Sequence, residues 1–307
     1  MTITSAPAVY SRASTAWNVG TTWSTVSFVG ASCACTPTTG QVAVIGGGFT
    51  VDLTADALVG GVDIQNTGTL RYTAANLDLG IEAGLLRVRS GGILNSNAQA
   101  GAQIDFNQDV GGASLQVDAG GTVTIEDVTL STNASNLHYF LGGGSLTITD
   151  DILINVDNAS LTNNMSTSIP VGDDIIFNSD NSDFVNGGTV AFGGDLAAND
   201  TNDDGNEVTN SSGSTLSFVN MDGLATGAGA GAFLSILNSG TINQSGTFVD
   251  IESSTNAGND INNLSGSTWN YSGTGHDTDL RLFANNPTNT FNYGLSGAQQ
   301  IITPVAG

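Results

Sequence analysis

Asn210-Ser211-Ser212-Gly213-Ser214-Thr215-Leu216, Asn238-Ser239-Gly240-Thr241-Ile242 and Asn263-Leu264-Ser265-Gly266-Ser267-Thr268-Trp269 are three copies of one short phrase. An asparagine opens a turn and a glycine ends it. One or two small polar residues follow, and an apolar residue then opens an alternating run. Asn66-Thr67-Gly68-Thr69-Leu70 is a further copy, and shorter forms stand at Gly91-Gly92-Ile93, Gly121-Thr122-Val123, Gly144-Ser145-Leu146 and Gly188-Thr189-Val190. The apolar anchors fall at 70, 93, 123, 146, 190, 216, 242 and 269, in steps of 23, 30, 23, 44, 26, 26 and 27 residues. The long step divides into two of 22, with Ile169 near the missing place, and Val51 and Phe291 extend the series by 19 and 22. Internal periodicity of this length marks a repeat architecture.

Between anchors the period is two. Leu115 and Val117 alternate with Gln116 and Asp118, Val123 and Ile125 with Thr122 and Thr124, and Leu146 and Ile148 with Thr147 and Thr149. Such alternation puts the apolar side chains on one face of a strand. No longer stretch carries a capped 3.6-residue period. Propeller blades repeat at about 40–50 residues, roughly twice this step, and the Asn-Gly or Asp-Gly hairpin signal of a sandwich is scarce. Short strands at this step suit one coil of a three-sided solenoid, with inward Val, Ile and Leu stacked from coil to coil and turn asparagines hydrogen-bonded to those one coil away. The expectation is an all-β, right-handed, single-stranded parallel β-helix of about ten coils with an N-terminal cap.

Residues 1–50 break the repeat and concentrate aromatics at Tyr10, Trp17, Trp23 and Phe28. They read as the cap, because the open end of a solenoid must be covered. Trp17 and Trp23 plug the core in that reading, and a sugar-stacking platform is the other use for them. Residues 51–307 read as the β-helix itself. Coil still continues from Phe291 to Ile302, so the helix is expected to be truncated at its C-terminal end or covered by another chain. Cys33 and Cys35 close a very small ring if they form a disulfide. A structural zinc would need further Cys or His ligands.

The chain of 307 residues holds 28 acidic side chains and five basic ones, all arginine, for a net charge of −23. Nucleic-acid binding needs clustered cations, and a lipid surface needs a polybasic patch. Both are excluded as partners, and no apolar run approaches the ~18 residues of a membrane span. Met1–Pro7 lacks the charged and apolar regions of an export signal. Either the protein stays in the cytoplasm or Met1 replaces a removed signal peptide. The lysine-free, asparagine-rich composition favours the second, an extracellular or cell-surface protein.

The densest polar cluster, Asp200-Thr201-Asn202-Asp203-Asp204-Gly205-Asn206-Glu207, begins like a calcium loop, with alternate oxygen ligands and a glycine at the sharp turn. Asp200, Asn202, Asp204 and Glu207 are the candidate calcium ligands. Ser211 stands where the twelfth-position glutamate belongs, so Glu207 could serve only in a shortened loop. The competing reading is a solvated acidic corner.

Acidic pairs stand at Asp150-Asp151, Asp173-Asp174 and Asp203-Asp204. Paired carboxylates serve glycosidases as acid and base, but neighbours in a strand point to opposite faces. Arg87 and Arg89 share one strand face, where they could bind a uronate or answer Glu82 and Asp118. His138 and His276 read as solvated loop residues, with no nucleophile elbow to serve. Outward threonine pairs that order ice are a further option, met by Thr122/Thr124 and Thr147/Thr149 only.

The opening Tyr10-Ser11-Arg12-Ala13-Ser14, Ala16-Trp17-Asn18 and Thr22-Trp23-Ser24, followed by Gln41-Val42-Ala43-Val44-Ile45-Gly46 and Phe49-Thr50-Val51, resembles the mature N-terminus of large secreted surface proteins of Bacteroidota. Asn289-Thr290-Phe291-Asn292-Tyr293 with Gly297-Ala298-Gln299-Gln300-Ile301 resembles their coil motif. The resemblance implies type IX secretion and a role as adhesin, stalk or surface fibre. It carries no catalytic residues, and those proteins usually end in a C-terminal sorting domain. The functional expectation is therefore a non-enzymatic structural or adhesive solenoid. Its partners would be other copies of itself, further domains of the same protein, or surface glycans. A glycan-binding or polysaccharide-degrading β-helix, lyase or glycosidase, is the rival.

Overall fold

The computed structural model describes residues 6–82, 84–107, 113–132, 137–198, 205–222, 234–246, 248–249, 261–273, 282–283 and 290–293. Among them the only helix is a single 3-10 turn, Gly20–Thr22, and all other regular structure is short strand. The chain divides into two compact units, residues 1–149 and 150–307.

Within each unit the strands follow one another around three faces. In residues 1–149 the first face carries Val42–Ile45, Gly61–Ile64, Leu85–Val88, Ser114–Val117 and Leu137–Gly142, each parallel to the next. The second carries Thr50–Leu53, Thr69–Tyr72, Ile93–Asn95, Thr122–Ile125 and Ser145–Ile148, again all parallel. The third carries Ala57–Val59, Asp78–Ile81, Gln103–Asn107 and Asp127–Thr132. Residues 150–307 repeat the scheme. Ser160–Met165, Asp183–Asn186, Asn206–Asn210, Leu234–Asn238 and Ile261–Asn263 form the first face there. Ser168–Val171, Thr189–Phe192, Thr215–Phe218, Thr241–Gln244, Thr268–Tyr271 and Thr290–Tyr293 form the second. The fold is an all-β parallel β-solenoid. Complete turns described without interruption inside one unit number four in the first and three in the second, about seven where the sequence suggests about ten.

Period two explains why one strand position always stacks on its counterpart. Val62, Leu86, Leu115 and Phe140 lie in register on the first face and are fully buried. On the second face of residues 150–307, Ile169, Val190, Leu216, Ile242 and Trp269 do the same. Burying each such side chain stabilises by about 1.5–3 kcal/mol, while the outward partners stay wet. Corner glycines let consecutive turns approach. A Cβ at Gly68 would collide with the backbone carbonyl of Ile45 one turn back.

One anchor shifts by a residue. The sequence marks Ile93, but Ile93 is 40% exposed and Leu94 is fully buried, in register with Leu70 and Val123. Gly91-Gly92 supplies no polar spacer before the apolar pair. The residue after the glycines therefore takes the outward place that Thr69 and Thr122 fill elsewhere.

Near the start of the chain, Ala8–Ser11 pairs parallel with Val42–Ile45, and Trp23–Ser24 pairs antiparallel with Ala8–Ser11. Trp17 N–H donates to the Asp52 carbonyl at 2.8 Å, so this segment also reaches the leading strand of the second face. Both tryptophans are buried, with ring centroids 5.0 Å apart and edge-on, and Trp23 Nε1 donates to the Trp17 carbonyl at 2.7 Å. They are packed inside, not offered as a stacking platform. A disulfide joins Cys33 to Cys35.

The register has a direct check. Leu94→Ala is expected to cost about 2–5 kcal/mol of unfolding free energy, whereas Ile93→Thr, at an outward strand position, is expected to cost within about 0.5 kcal/mol. Equal losses in denaturant titrations would place both side chains inside.

Candidate functional site

Three groups of polar side chains are organised by the solenoid rather than scattered over it. The first is a buried file of amides. Asn163, Asn186, Asn210, Asn238 and Asn263 occupy one position on successive first-face strands and are at most 3% exposed. Each Nδ2 donates to the next Oδ1, at 2.9, 2.9, 2.8 and 2.7 Å along the file. Their remaining capacity goes to backbone. Asn186, Asn210 and Asn238 donate to the carbonyls of Thr215, Thr241 and Thr268 at 3.0–3.1 Å. The Oδ1 atoms of Asn163, Asn186 and Asn238 accept from the N–H groups of Met165, Gly188 and Gly240. A buried amide is tolerated only when so satisfied. In residues 1–149 the same strand position holds Ile64, Val88 and Val117. The turn phrase picks out Asn210, Asn238 and Asn263. Asn186-Gly187-Gly188-Thr189-Val190 carries the same phrase, although the repeat marks only its shorter form from Gly188, and Asn163 escapes it because no glycine ends its turn.

The second group is a file of carboxylates at the corner leading into the third face of residues 150–307, which carries Ile152–Ile154, Ile175–Phe177, Leu196–Ala198 and Met221–Asp222. Asp174 N–H donates to Asp151 Oδ1 at 2.9 Å, Asp195 N–H to Asp174 Oδ1 at 2.5 Å and Asn220 N–H to Asp195 Oδ1 at 2.9 Å. Each side chain thus satisfies the backbone of the next turn. Asp151, Asp173 and Asp174 bring one carboxylate oxygen each within 4.8 Å of one another. Strand alternation had argued against adjacent acids converging, but these pairs sit at corners, where alternation does not apply. Oxygen donors so placed have the chemistry of a hard-cation site. Burial, then the charges of Asp173, Asp195 and Asp151, push the Asp174 carboxyl up to about 6 against the pull of the Asp195 N–H.

The third group is ionic. Arg71 pairs with Asp52 at 2.8 Å, Arg87 with Asp118 at 2.7 Å and Arg89 with Asp63 at 2.7 Å. Arg87 meets the expected Asp118, but the partner of Arg89 is Asp63 rather than Glu82. Partly exposed pairs of this kind contribute about 0–1 kcal/mol each, and here they neutralise the arginines.

Of the proposed calcium ligands, Asp200, Asn202 and Asp204 lie outside the described residues. Glu207 stands on the strand Asn206–Asn210, opposite Asp183, and its Oε1 accepts from Thr209 Oγ1 at 2.6 Å. Asp203 and His276 also lie outside the described residues. A melting temperature unchanged by EDTA would remove calcium from the account.

No protein-family model, curated protein or solved structure matches the chain. Its chemistry is therefore read from its own geometry.

His138 is not the solvated loop residue its sequence context suggests. It lies in the strand Leu137–Gly142, fully buried, with its ring 5.9 Å from Phe106, and neither nitrogen has a hydrogen-bond partner among the described residues. Burial holds its pKa down to about 4. An unfolded histidine titrates near 6.5 and an unfolded aspartate near 3.9, so the two groups act in opposite directions. His138 supports the fold above about pH 6.5, and that support is lost as the pH falls toward 4. Asp174 disfavours the fold while ionised, above about pH 6, and the penalty disappears as the pH falls toward 4. His138→Phe is expected to flatten the acid-side fall in melting temperature. Asp174→Asn, which keeps the Oδ1 acceptor, is expected to raise the melting temperature at pH 7 and to match the parent near pH 4. Melting profiles across pH 4–8 that superimpose on the parent's would refute these assignments.

Proposed function

We propose that this chain is a non-enzymatic structural and adhesive protein, a stiff β-solenoid segment of an exported surface fibre, stalk or adhesin. The observation that carries the reading is the buried asparagine file together with the parallel strand ladders. Five amides in register tie successive turns through side chains as well as backbone. Unwinding one turn breaks both sets of bonds at once and takes an amide partner from each neighbouring asparagine. That is a device for resisting deformation.

The winding is taken as right-handed, as parallel strand crossovers are, and the described residues ahead of Val42 as a cap, since they pair along the leading strands of two faces. The acidic surface favours solubility and repels other acidic surfaces. Contacts with further copies, further domains or surface glycans would then fall to the outward strand positions and the corner loops. The corner carboxylates, engaged with backbone N–H groups, serve this reading better than acid–base catalysis. The second reading, a glycan-binding β-helix, has one observation in its favour, an uncharged groove on the second face of residues 150–307.

Single-molecule pulling tests the mechanical reading. The chain is expected to give way in steps of about one turn, roughly 23 residues at ~3.5 Å each, or about 80 Å of contour. Asn210→Ala removes one hydrogen-bond partner from each of Asn186 and Asn238, at about 1–3 kcal/mol each. It is expected to lower both the melting temperature and the rupture force of those steps. Smooth extension at low force, with no stepwise rupture, would reject the proposal.

A further inference from the structure

A second stack of amides lies on the outside of the second face of residues 150–307. Ser217, Asn243, Asn270 and Asn292 face outward on four successive parallel strands and are in register. Asn243 Nδ2 donates to Ser217 Oγ at 3.2 Å, Asn270 Nδ2 to Asn243 Oδ1 at 2.8 Å and Asn292 Nδ2 to Asn270 Oδ1 at 2.8 Å. These side chains line a groove of about 430 Å³, whose wall includes Phe218 and Tyr271. None of the ten residues lining it is charged, in a chain whose net charge is −23.

A primary amide has two N–H donors and two carbonyl lone pairs. The stack engages one donor of each asparagine and one acceptor of Asn243 and Asn270. What is left on each rung is a donor beside an acceptor, held in a fixed orientation. A hydroxyl group, which both donates and accepts, fits such a pair. The pairs recur at the strand spacing of about 4.8 Å, so they suit a chain of hydroxyl-bearing units laid along the stack. Because neighbouring rungs already fix each side chain, little rotamer freedom is lost on binding. Phe218 and Tyr271 lie beneath the groove as core side chains, each 2% exposed, so its recognition falls to the outward hydroxyl and amide groups. The missing charge selects against uronates and sulfated sugars, whose anions the rest of the protein repels.

We propose that this groove binds an uncharged polysaccharide, the glycan chain running along the asparagine stack. The proposal rests on the adhesive reading and names the class of surface partner. Its test is glycan-array binding followed by isothermal titration calorimetry of the intact chain. Neutral glucan, mannan and xylan oligosaccharides are the probes, and a galacturonan hexamer is the charged control. Binding to at least one neutral oligosaccharide is expected, with none to the galacturonan. Asn270→Asp is expected to weaken that binding at least tenfold. Ser245→Trp, which fills the exposed rim of the groove, is expected to abolish it while the melting temperature stays that of the parent. The proposal is overturned if no neutral glycan binds at millimolar concentration, if only the galacturonan binds, or if neither substitution changes the affinity. A chain that ruptures turn by turn yet fails this test refutes the groove and leaves the mechanical reading intact.

Discussion

Along the described parallel ladders, each inward side chain rests on the residue at the same place one turn away. That constraint follows from parallel strands in register, and the rest of the structure depends on it. A residue that suits its position is repeated above and below, and one that does not suit it disturbs two neighbours. Aliphatic side chains meet the demand by dispersion and desolvation. Leu70, Leu94 and Val123 form one such file, and Ile169, Val190, Leu216 and Ile242 another.

Polar side chains meet it differently, because they must also exchange hydrogen bonds along the file. Asparagine is suited to this, since its amide offers a donor at one end and an acceptor at the other, and the group translates onto itself at the strand spacing. Carboxylates lack the donor, so the acidic file at the corner uses backbone N–H groups instead. Its remaining charge then accumulates, and the raised Asp174 carboxyl is the electrostatic consequence. At Asn220, the next place in that file, the Nδ2 donates to Asp195 at 2.7 Å, an amide relieving the same position. His138 breaks this pattern, a polar ring in an apolar setting that supplies it no partner among the described residues, and the buried Asn206 Nδ2 likewise has none there.

The repeat phrase and the period of two were enough to read the class of fold. Both are local, since they follow from turn chemistry and from strand alternation. They were also enough to suggest that turn asparagines bond from coil to coil. The same signals misplaced one anchor at Ile93, because a glycine pair hides where a strand begins. They assigned His138 to a loop, because one histidine among polar neighbours carries no periodicity. They left the acidic pairs unresolved, because alternation governs strands and Asp150-Asp151 and Asp173-Asp174 sit at corners.

By itself the sequence determined which residues alternate, where the chain turns, and that parallel turns would stack into a solenoid. The tertiary structure alone decided which residues touch across a turn. Asn163 meets Asn186, Arg89 meets Asp63, and Asp151 approaches Asp173 and Asp174. Step lengths vary from about 19 to 30 residues, so sequence distance does not fix spatial partnership. The register of each strand pair does, and it is set by the packing of the whole core against each corner.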